Sequence, residues 1–246
     1  MKLVLLRHGE SQWNLENRFT GWKDVSLTPN GIKEAENAAN QLLKNNIKIS
    51  YVYTSLLQRA INTTEIVADK IGFPFEEVNF EWRLNERHYG SLQGLNKSET
   101  ASKYGEEQVK MWRRSFDIPP PQLNADDKRH PKFDKKFKNI DAKLPTGESL
   151  KDVIERLNPF WEIFINHLKK KEGNYLIVAH SNSLRAIVKI LDNLNEEEII
   201  SVNIPTGVPL VYSFNQDLDI LKKEYLIDEK ELKIKLDIIK SQGKAK

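Results

Sequence analysis

Two histidines in this chain stand where apolar runs end. Leu3-Val4-Leu5-Leu6 stops abruptly at Arg7-His8-Gly9, and Leu176-Ile177-Val178-Ala179 stops at His180-Ser181-Asn182. Short apolar runs of this kind read as strands buried on both faces. Open α/β sheets take their ligands at the carboxyl ends of such strands. If the two strands are neighbours, both rings face one pocket. Arg7 sets a fixed cation beside His8, and Arg59 falls in the first turn of an expected helix. A cation there opposes the helix dipole unless an anion is shared with the helix end. Arginines grip phosphate oxygens two at a time. A neutral imidazole can attack phosphorus and carry it as phosphohistidine, while a second, protonated imidazole can steady the charge in transfer. Arg7, His8, Arg59 and His180 together therefore read as a phosphate site. Glu86, in a polar loop, is the candidate proton shuttle; the competing reading pairs it structurally with Arg83 or Arg87. For each histidine alone, the competing reading is a hydrogen-bonded structural role, and it is the repetition of the strand–histidine unit that favours chemistry.

The elements that must position these groups alternate between strand and helix. After the first strand comes a long polar loop, Ser11 to Asn30, carrying Trp13, Phe19 and Trp22; loops of that length are usually functional. Pro29-Asn30-Gly31 has turn chemistry, and Ile32 to about Asn45 favours helix with Ala35, Ala38, Ala39, Leu42 and Leu43 on one face. Tyr51-Val52-Tyr53 reads as a strand. Ser55-Leu56-Leu57-Gln58 has the form of a capping box opening a helix to about Ile71. Residues 76 to 96 lack apolar periodicity and read as a loop. Two short helical pieces, about 98–104 and 106–116, precede Pro119-Pro120-Pro121 and a lysine-rich stretch. The block 97–143 reads as an insertion or lid. Ser149 caps the longest helix, whose stripe from Leu150 to Leu168 is core, and Pro159 within it predicts a kink. A helix from about Ser183 to Leu191, a strand from Leu210 to Phe214, and a charged amphipathic helix from Asp228 complete the chain. The last residues, Ser241 to Lys246, are expected to be a mobile end able to cover a site. The alternation predicts an α/β fold with a mostly parallel sheet, a single domain over residues 1–246.

Composition narrows the chemistry further. The chain has 246 residues and no cysteine, which excludes disulfides, zinc–thiolate sites and thiol nucleophiles. No apolar stretch is long enough to span a bilayer, and Met1-Lys2 runs straight into the first strand, so the expected location is the cytoplasm and no membrane partner is expected. A net charge of +3 is too balanced to point to nucleic acid. Between Lys97 and Lys143, however, 12 Lys/Arg face 8 Asp/Glu, with Tyr104, Trp112 and Phe116 interleaved. So short a cationic segment suits an anionic small molecule better than a nucleic acid. No glycine-rich phosphate loop is present, and no acidic cluster has metal-ligand spacing, so neither ATP nor a metal is expected.

The segment Leu6-Arg7-His8-Gly9-Glu10-Ser11-Gln12-Trp13-Asn14 resembles the signature of the cofactor-dependent phosphoglycerate mutases, within the histidine phosphatase superfamily. Glu16 to Trp22, Thr54 to Ala60, Trp82 to Gly90, Leu92 to Lys97, Trp112 to Ser115 and Ile204 to Leu210 are similar to that family too. Arg7-His8-Gly9 alone is a superfamily mark, whereas Asn85 to Gly90 and Asn96-Lys97 are closer to the mutases. The resemblance implies a three-layer α/β/α fold with a lid. It implies a glycolytic and gluconeogenic isomerase that interconverts 3- and 2-phosphoglycerate through phosphorylated His8, primed by 2,3-bisphosphoglycerate without metal. A histidine-type phosphomonoesterase of the same superfamily is the alternative. By resemblance, Arg7, Arg59 and His180 hold the transferring group, with Asn14 beside it, and Glu86 moves the proton. Ser11, Thr20, Gly21 and Tyr89 would bind the glycerate, together with Arg87, His88, Lys97, Arg113, Arg114, Ser181 and Asn182. The family's homodimers or homotetramers are the expected assembly. Ser181 stands where the family usually has glycine: if the position needs a positive φ, serine costs about 1 kcal/mol, and otherwise its hydroxyl adds a donor. Ser11, Thr20 and Gly21 are the mutase-like rather than synthase-like choices in the first loop.

Overall fold

The computed structural model describes residues 1–124 and 126–242. In chain order the elements are β1 (Lys2–Arg7), α1 (Gln12–Leu15), α2 (Pro29–Lys44), β2 (Tyr51–Thr54), α3 (Gln58–Ile71), β3 (Asn79–Phe80), α4 (Lys97–Tyr104), α5 (Glu106–Arg114), α6 (Leu150–Lys170), β4 (Tyr175–Ala179), α7 (Ser181–Leu191), α8 (Glu198–Ser201), β5 (Pro209–Phe214), β6 (Ile220–Tyr225) and α9 (Glu229–Ser241). The strands form one sheet in the order β3-β2-β4-β1-β5-β6. The first four run parallel; β5 is antiparallel to both β1 and β6.

Alternation along the two histidine strands builds the three layers. Leu3 and Leu5 of β1, with Tyr175 and Ile177 of β4, face α6 and α7 in one core. Val4 and Leu6, with Leu176 and Val178, face α2 and α3 in the other. Both strands are thus apolar throughout because both of their faces are covered. The lid block is less bare of core than its composition implies. Val109 and Ala101 pack with Phe19 and Leu92, and Phe137 packs with Trp22 and Leu57. Both satellite clusters fasten the lid to the first polar loop.

Several boundaries differ from the sequence reading for identifiable reasons. Helix α2 begins at Pro29, not Ile32: Thr28 caps it by accepting from Gly31 N, and proline at the first position lacks only an N–H that the helix cannot use. Ser55 does not cap α3, whose N-cap is Leu57 with no side-chain bond; Ser55 is engaged elsewhere, as described below. Helix α6 runs unbroken through Pro159, its N-terminus closed by a Ser149–Asp152 capping box. Strand β6, Ile-Leu-Lys-Lys-Glu-Tyr, escaped notice because it is an exposed edge strand whose charged residues hide its periodicity. Helix α9 starts after Asp228, which accepts from Lys230 N and Glu231 N. Of the end expected to be mobile, Ser241 closes α9 and Gln242 is its C-cap, and Gly243 to Lys246 lie outside the described residues.

Candidate active site

The register of the sheet decides where the histidines meet. Arg7 is paired with Ala179 across β1 and β4, so His8 and His180 each stand one residue past the same rung. His8 N donates to Ala179 O at 3.0 Å, and the two rings lie 4.9 Å apart between centroids, tilted by 58°. The turn after His8 depends on glycine for space rather than for a positive φ. A Cβ on Gly9 would stand 2.1 Å from Gly31 O, and one on Gly31 would stand 2.1 Å from Glu10 O. Two backbones touch here, and only glycine at both positions allows it. Thr63 Oγ1 accepts from Gly9 N at 3.1 Å and donates to Arg59 O at 2.8 Å, which ties the turn to α3.

The hydrogen bonds fix the tautomer of His8. Nδ1 lies 2.7 Å from Gly9 O, which can only accept, so Nδ1 carries the proton. Arg59 Nε donates to His8 Nε2 at 3.1 Å, and a guanidinium can only donate, so Nε2 carries the lone pair. The two constraints are independent and agree. Burial first, then the Arg59 and Arg7 charges, hold the His8 ring well below the ordinary imidazole range. His180 is held down in the same way by burial, Arg59, His8 and Arg7. The neutral form of both rings is thereby favoured, and the protonated His180 considered from the sequence is disfavoured while the cavity holds no anion. The negative charge of an arriving phosphoryl group would favour returning a proton to it. His180 Nε2 shares a 2.7 Å hydrogen bond with Ser55 Oγ, which is what occupies the serine read from sequence as a cap.

Arg59 justifies its place at the helix start. Its other nitrogens donate to Lys23 O at 3.1 Å and Gly21 O at 2.9 Å, so it staples the first loop to the nucleophile while remaining 1% exposed. Arg7 donates to Ile204 O at 2.9 Å, leaving its Nε without a partner. Glu86 reaches the cavity from the loop between β3 and α4. Its Oε1 accepts from Arg87 N at 2.8 Å, Asn182 N at 3.1 Å and Asn182 Nδ2 at 3.0 Å. The loop itself is pinned from behind. Arg156 and Glu148 form a buried ion pair at 2.6 Å; Arg156 donates to the carbonyls of Arg83 and Asn85, Glu148 accepts from His88 N, and Trp22 Nε1 donates to Glu86 O.

A partly open cavity lies at this edge. Arg7, His8, Asn14, Thr20, Arg59 and Glu86 line it, together with Tyr89, Lys97, Arg113, Arg114, Ser181 and Asn182. The remaining sequence-nominated residues stand behind the lining. Ser11 caps α1 and donates to Asn14 Oδ1 at 2.9 Å; Gly21 offers its carbonyl to Arg59. Arg87 donates to Arg113 O at 2.8 Å and lies over the Tyr89 ring. His88 is fully buried, and its Nδ1 accepts from Gly90 N at 3.0 Å. Ser181 is the first residue of α7 and is not among the residues with positive φ, so the strain considered for serine does not arise.

Sequence reasoning missed Arg18 and Arg185 in the lining, and also Ile239 and Gln242 of the C-terminal region. Lys97 Nζ donates to Gln242 Oε1 at 3.2 Å, and Arg113 donates to Gln242 O. Burial, with Arg113, Arg7 and Arg114 nearby, brings the Lys97 ammonium well below its usual range, and burial beside Arg114 lowers Arg113 to about 10. So many cations facing one carboxylate make a receptor for a multiply charged anion. Among the described residues no group of three or more His, Asp or Glu could hold a metal ion, and no helix is long and apolar enough to cross a membrane.

A lone-pair imidazole ringed by arginines, at the carboxyl edge of parallel strands, defines a class of enzyme that moves phosphoryl groups through histidine. The chain matches the histidine phosphatase superfamily (branch 1) over residues 3–127 and 122–217 and belongs to it. The fold is shared with a mycobacterial glucosyl-3-phosphoglycerate phosphatase solved with VO3: 22% identity, 92% of this chain and 98% of that one covered, TM-score 0.69. It is shared also with the alpha-ribazole phosphatase from Shigella flexneri: 22% identity, 91% and 95% covered, TM-score 0.65.

Proposed function

We propose that this protein interconverts 3- and 2-phosphoglycerate through a phosphohistidine at His8 Nε2. The observation that carries the reading is the surplus of cations in the cavity lining, where Lys97, Arg113 and Arg114 join Arg7, His8 and Arg59. A simple phosphomonoesterase needs cations only around the transferring group. A mutase must also hold the rest of a highly anionic glycerate while the phosphoryl group leaves and returns.

In this reading Nε2 attacks phosphorus, a P–N bond forms and the P–O bond breaks. Arg7 and Arg59 take up the charge of the equatorial oxygens. Glu86 gives a proton to the leaving oxygen and takes one from the hydroxyl that attacks in the reverse sense. His180, steadied by Ser55, donates to the phosphoryl oxygens. Arg7, whose Nε has no partner among the described residues, and the other cations of the lining fit 2,3-bisphosphoglycerate: Arg7 and Arg59 would hold one phosphate, and Lys97, Arg113 and Arg114 the remaining anionic groups. When bound, that compound supplies the phosphoryl group that arms His8.

The second reading is a phosphomonoesterase in which water discharges phospho-His8. The phosphatase names of the structures sharing this fold favour it. A phosphorus NMR time course on 3-phosphoglycerate, seeded with a trace of 2,3-bisphosphoglycerate and containing excess EDTA, separates the two. Seed-dependent growth of 2-phosphoglycerate is the expected result. Growth of inorganic phosphate alone overturns the mutase reading in favour of the phosphatase.

A further inference from the structure

Arg185 is 1% exposed and lines the cavity, and among the described residues its hydrogen bonds go to neutral oxygens and to no carboxylate. Its Nη1 donates to Asn182 Oδ1 at 2.9 Å and its Nη2 to Ile199 O at 2.7 Å. Burying a guanidinium this deeply against neutral acceptors is costly, and a helix surface residue could have been apolar here. The consequence falls on Asn182, three residues earlier in α7. Because arginine can only donate, the amide of Asn182 must turn its oxygen toward Arg185. Its nitrogen must then face the other way, and it does so: Asn182 Nδ2 donates to Glu86 Oε1 at 3.0 Å, with the backbone N of Asn182 on the same oxygen at 3.1 Å. With Arg87 N also there, Oε1 accepts three N–H groups. No hydrogen bond among the described residues reaches Oε2.

We propose that Arg185 is a positioning residue: by fixing the amide of Asn182 it commits Oε1 of Glu86 to hydrogen-bond acceptance and leaves Oε2, facing the cavity, to carry the proton. Arg185 itself also acts on Glu86 as a charge, and so do Arg7 from β1, Arg59 from α3 and Lys97 from α4. None of these is given a hydrogen bond to the carboxylate, so as charges they set its field and not its orientation. A carboxyl free to rotate would offer either oxygen to the substrate, and a proton on Oε1 would point at three donors. In the transfer step the P–O bond breaks, the proton on Oε2 moves to the departing oxygen, and the P–N bond to His8 forms. The inference rests on Glu86 as proton carrier, which isomerisation and hydrolysis share.

The test compares hydrolysis of glycerol 2-phosphate, whose alkoxide must be protonated to leave, with hydrolysis of p-nitrophenyl phosphate, whose phenolate leaves unaided. Arg185→Met is expected to lower kcat on the alkyl ester about a hundredfold and on the aryl ester by no more than a few-fold, with KM for both little changed. Asn182→Ala should give the same split, and the double variant should add little to it. Equal losses on both esters make Arg185 structural and overturn the proposal. A rise in KM with kcat held makes it a direct ligand of the substrate, and overturns the proposal equally. Glu86→Gln is the control that separates the two levels. If it too fails to split the esters, the reading of Glu86 falls; if it splits them and Arg185→Met does not, only the present inference falls.

Discussion

Ser55 decides what His180 can offer. Among the described residues its hydroxyl is the one hydrogen-bond partner of the His180 ring nitrogens, so Ser55→Ala leaves Nε2 unsatisfied and the ring free to turn. Turnover is expected to fall about tenfold or more, in line with the loss of a hydrogen bond that orients a catalytic group, while the melting temperature shifts by a few degrees; kinetics and a thermal scan on the same sample check both. His8→Ala removes the nucleophile, so capture of acid-labile phosphate and turnover should vanish together; substantial residual turnover would rule out the covalent route. A different titration belongs to His88. Burial first, then His130, Arg156 and Arg129, lower it to about 3. Its folded-state value thus lies below its unfolded one, so the stability it contributes is complete above about pH 6.5 and is lost as pH falls toward 3, at about 1.4 kcal/mol per unit. Urea unfolding at pH 7 and pH 5 should differ by about 2 kcal/mol from this group alone, and a His88→Gln variant should show a smaller difference.

At the scale of elements, the approach of Gly9 to Gly31 makes the start of α2 part of the nucleophile's support. Gly31→Ala drives a methyl into Glu10 O, and overpacking of this kind costs about 1–3 kcal/mol. Activity should fall with stability, since the backbone that must yield is that of the His8 turn; denaturant midpoints alongside kcat test this. The strands β1 and β4 were legible because both faces are covered, so their apolar runs are unbroken, and with them came Arg7, His8 and His180. Arg59 was legible as a misplaced charge. What was hidden depended on contacts between distant segments. Ser55 carries a local capping pattern, yet a histidine 125 residues away claims its hydroxyl. Arg185 sits on α7 among Leu184, Ala186 and Ile187, and no periodicity distinguishes a buried arginine from a surface one. Glu148 and Arg156 hold the Glu86 loop from an element with its own core stripe, so neither spacing nor composition marks them. Motif resemblance reached Lys97, Arg113 and Arg114 where composition offered only a basic block.

For the whole molecule, Glu34 joins parts that are far apart in the chain. From α2 its carboxylate accepts from Glu10 N at 2.8 Å, Thr206 Oγ1 at 3.0 Å and Lys235 Nζ at 2.6 Å. The last bond docks α9, whose end contributes Ile239 and Gln242 to the cavity. Lys235→Ala should loosen α9 without touching the nucleophile. Limited proteolysis after residue 228 should quicken, and water should compete better for phospho-His8, raising inorganic phosphate relative to isomerised product. Unchanged cleavage would show that α9 is held by its apolar contacts instead. The reach of α9 also has a practical side for anyone expressing the protein. Gln242 touches Lys97 and Arg113, so a fluorophore or tether attached at position 242 would stand against the cavity. Met1 lies at the opposite end of β1, where six residues of strand set it about 20 Å from the nucleophile. Attachment chemistry belongs on that side of the sheet rather than beside Gln242.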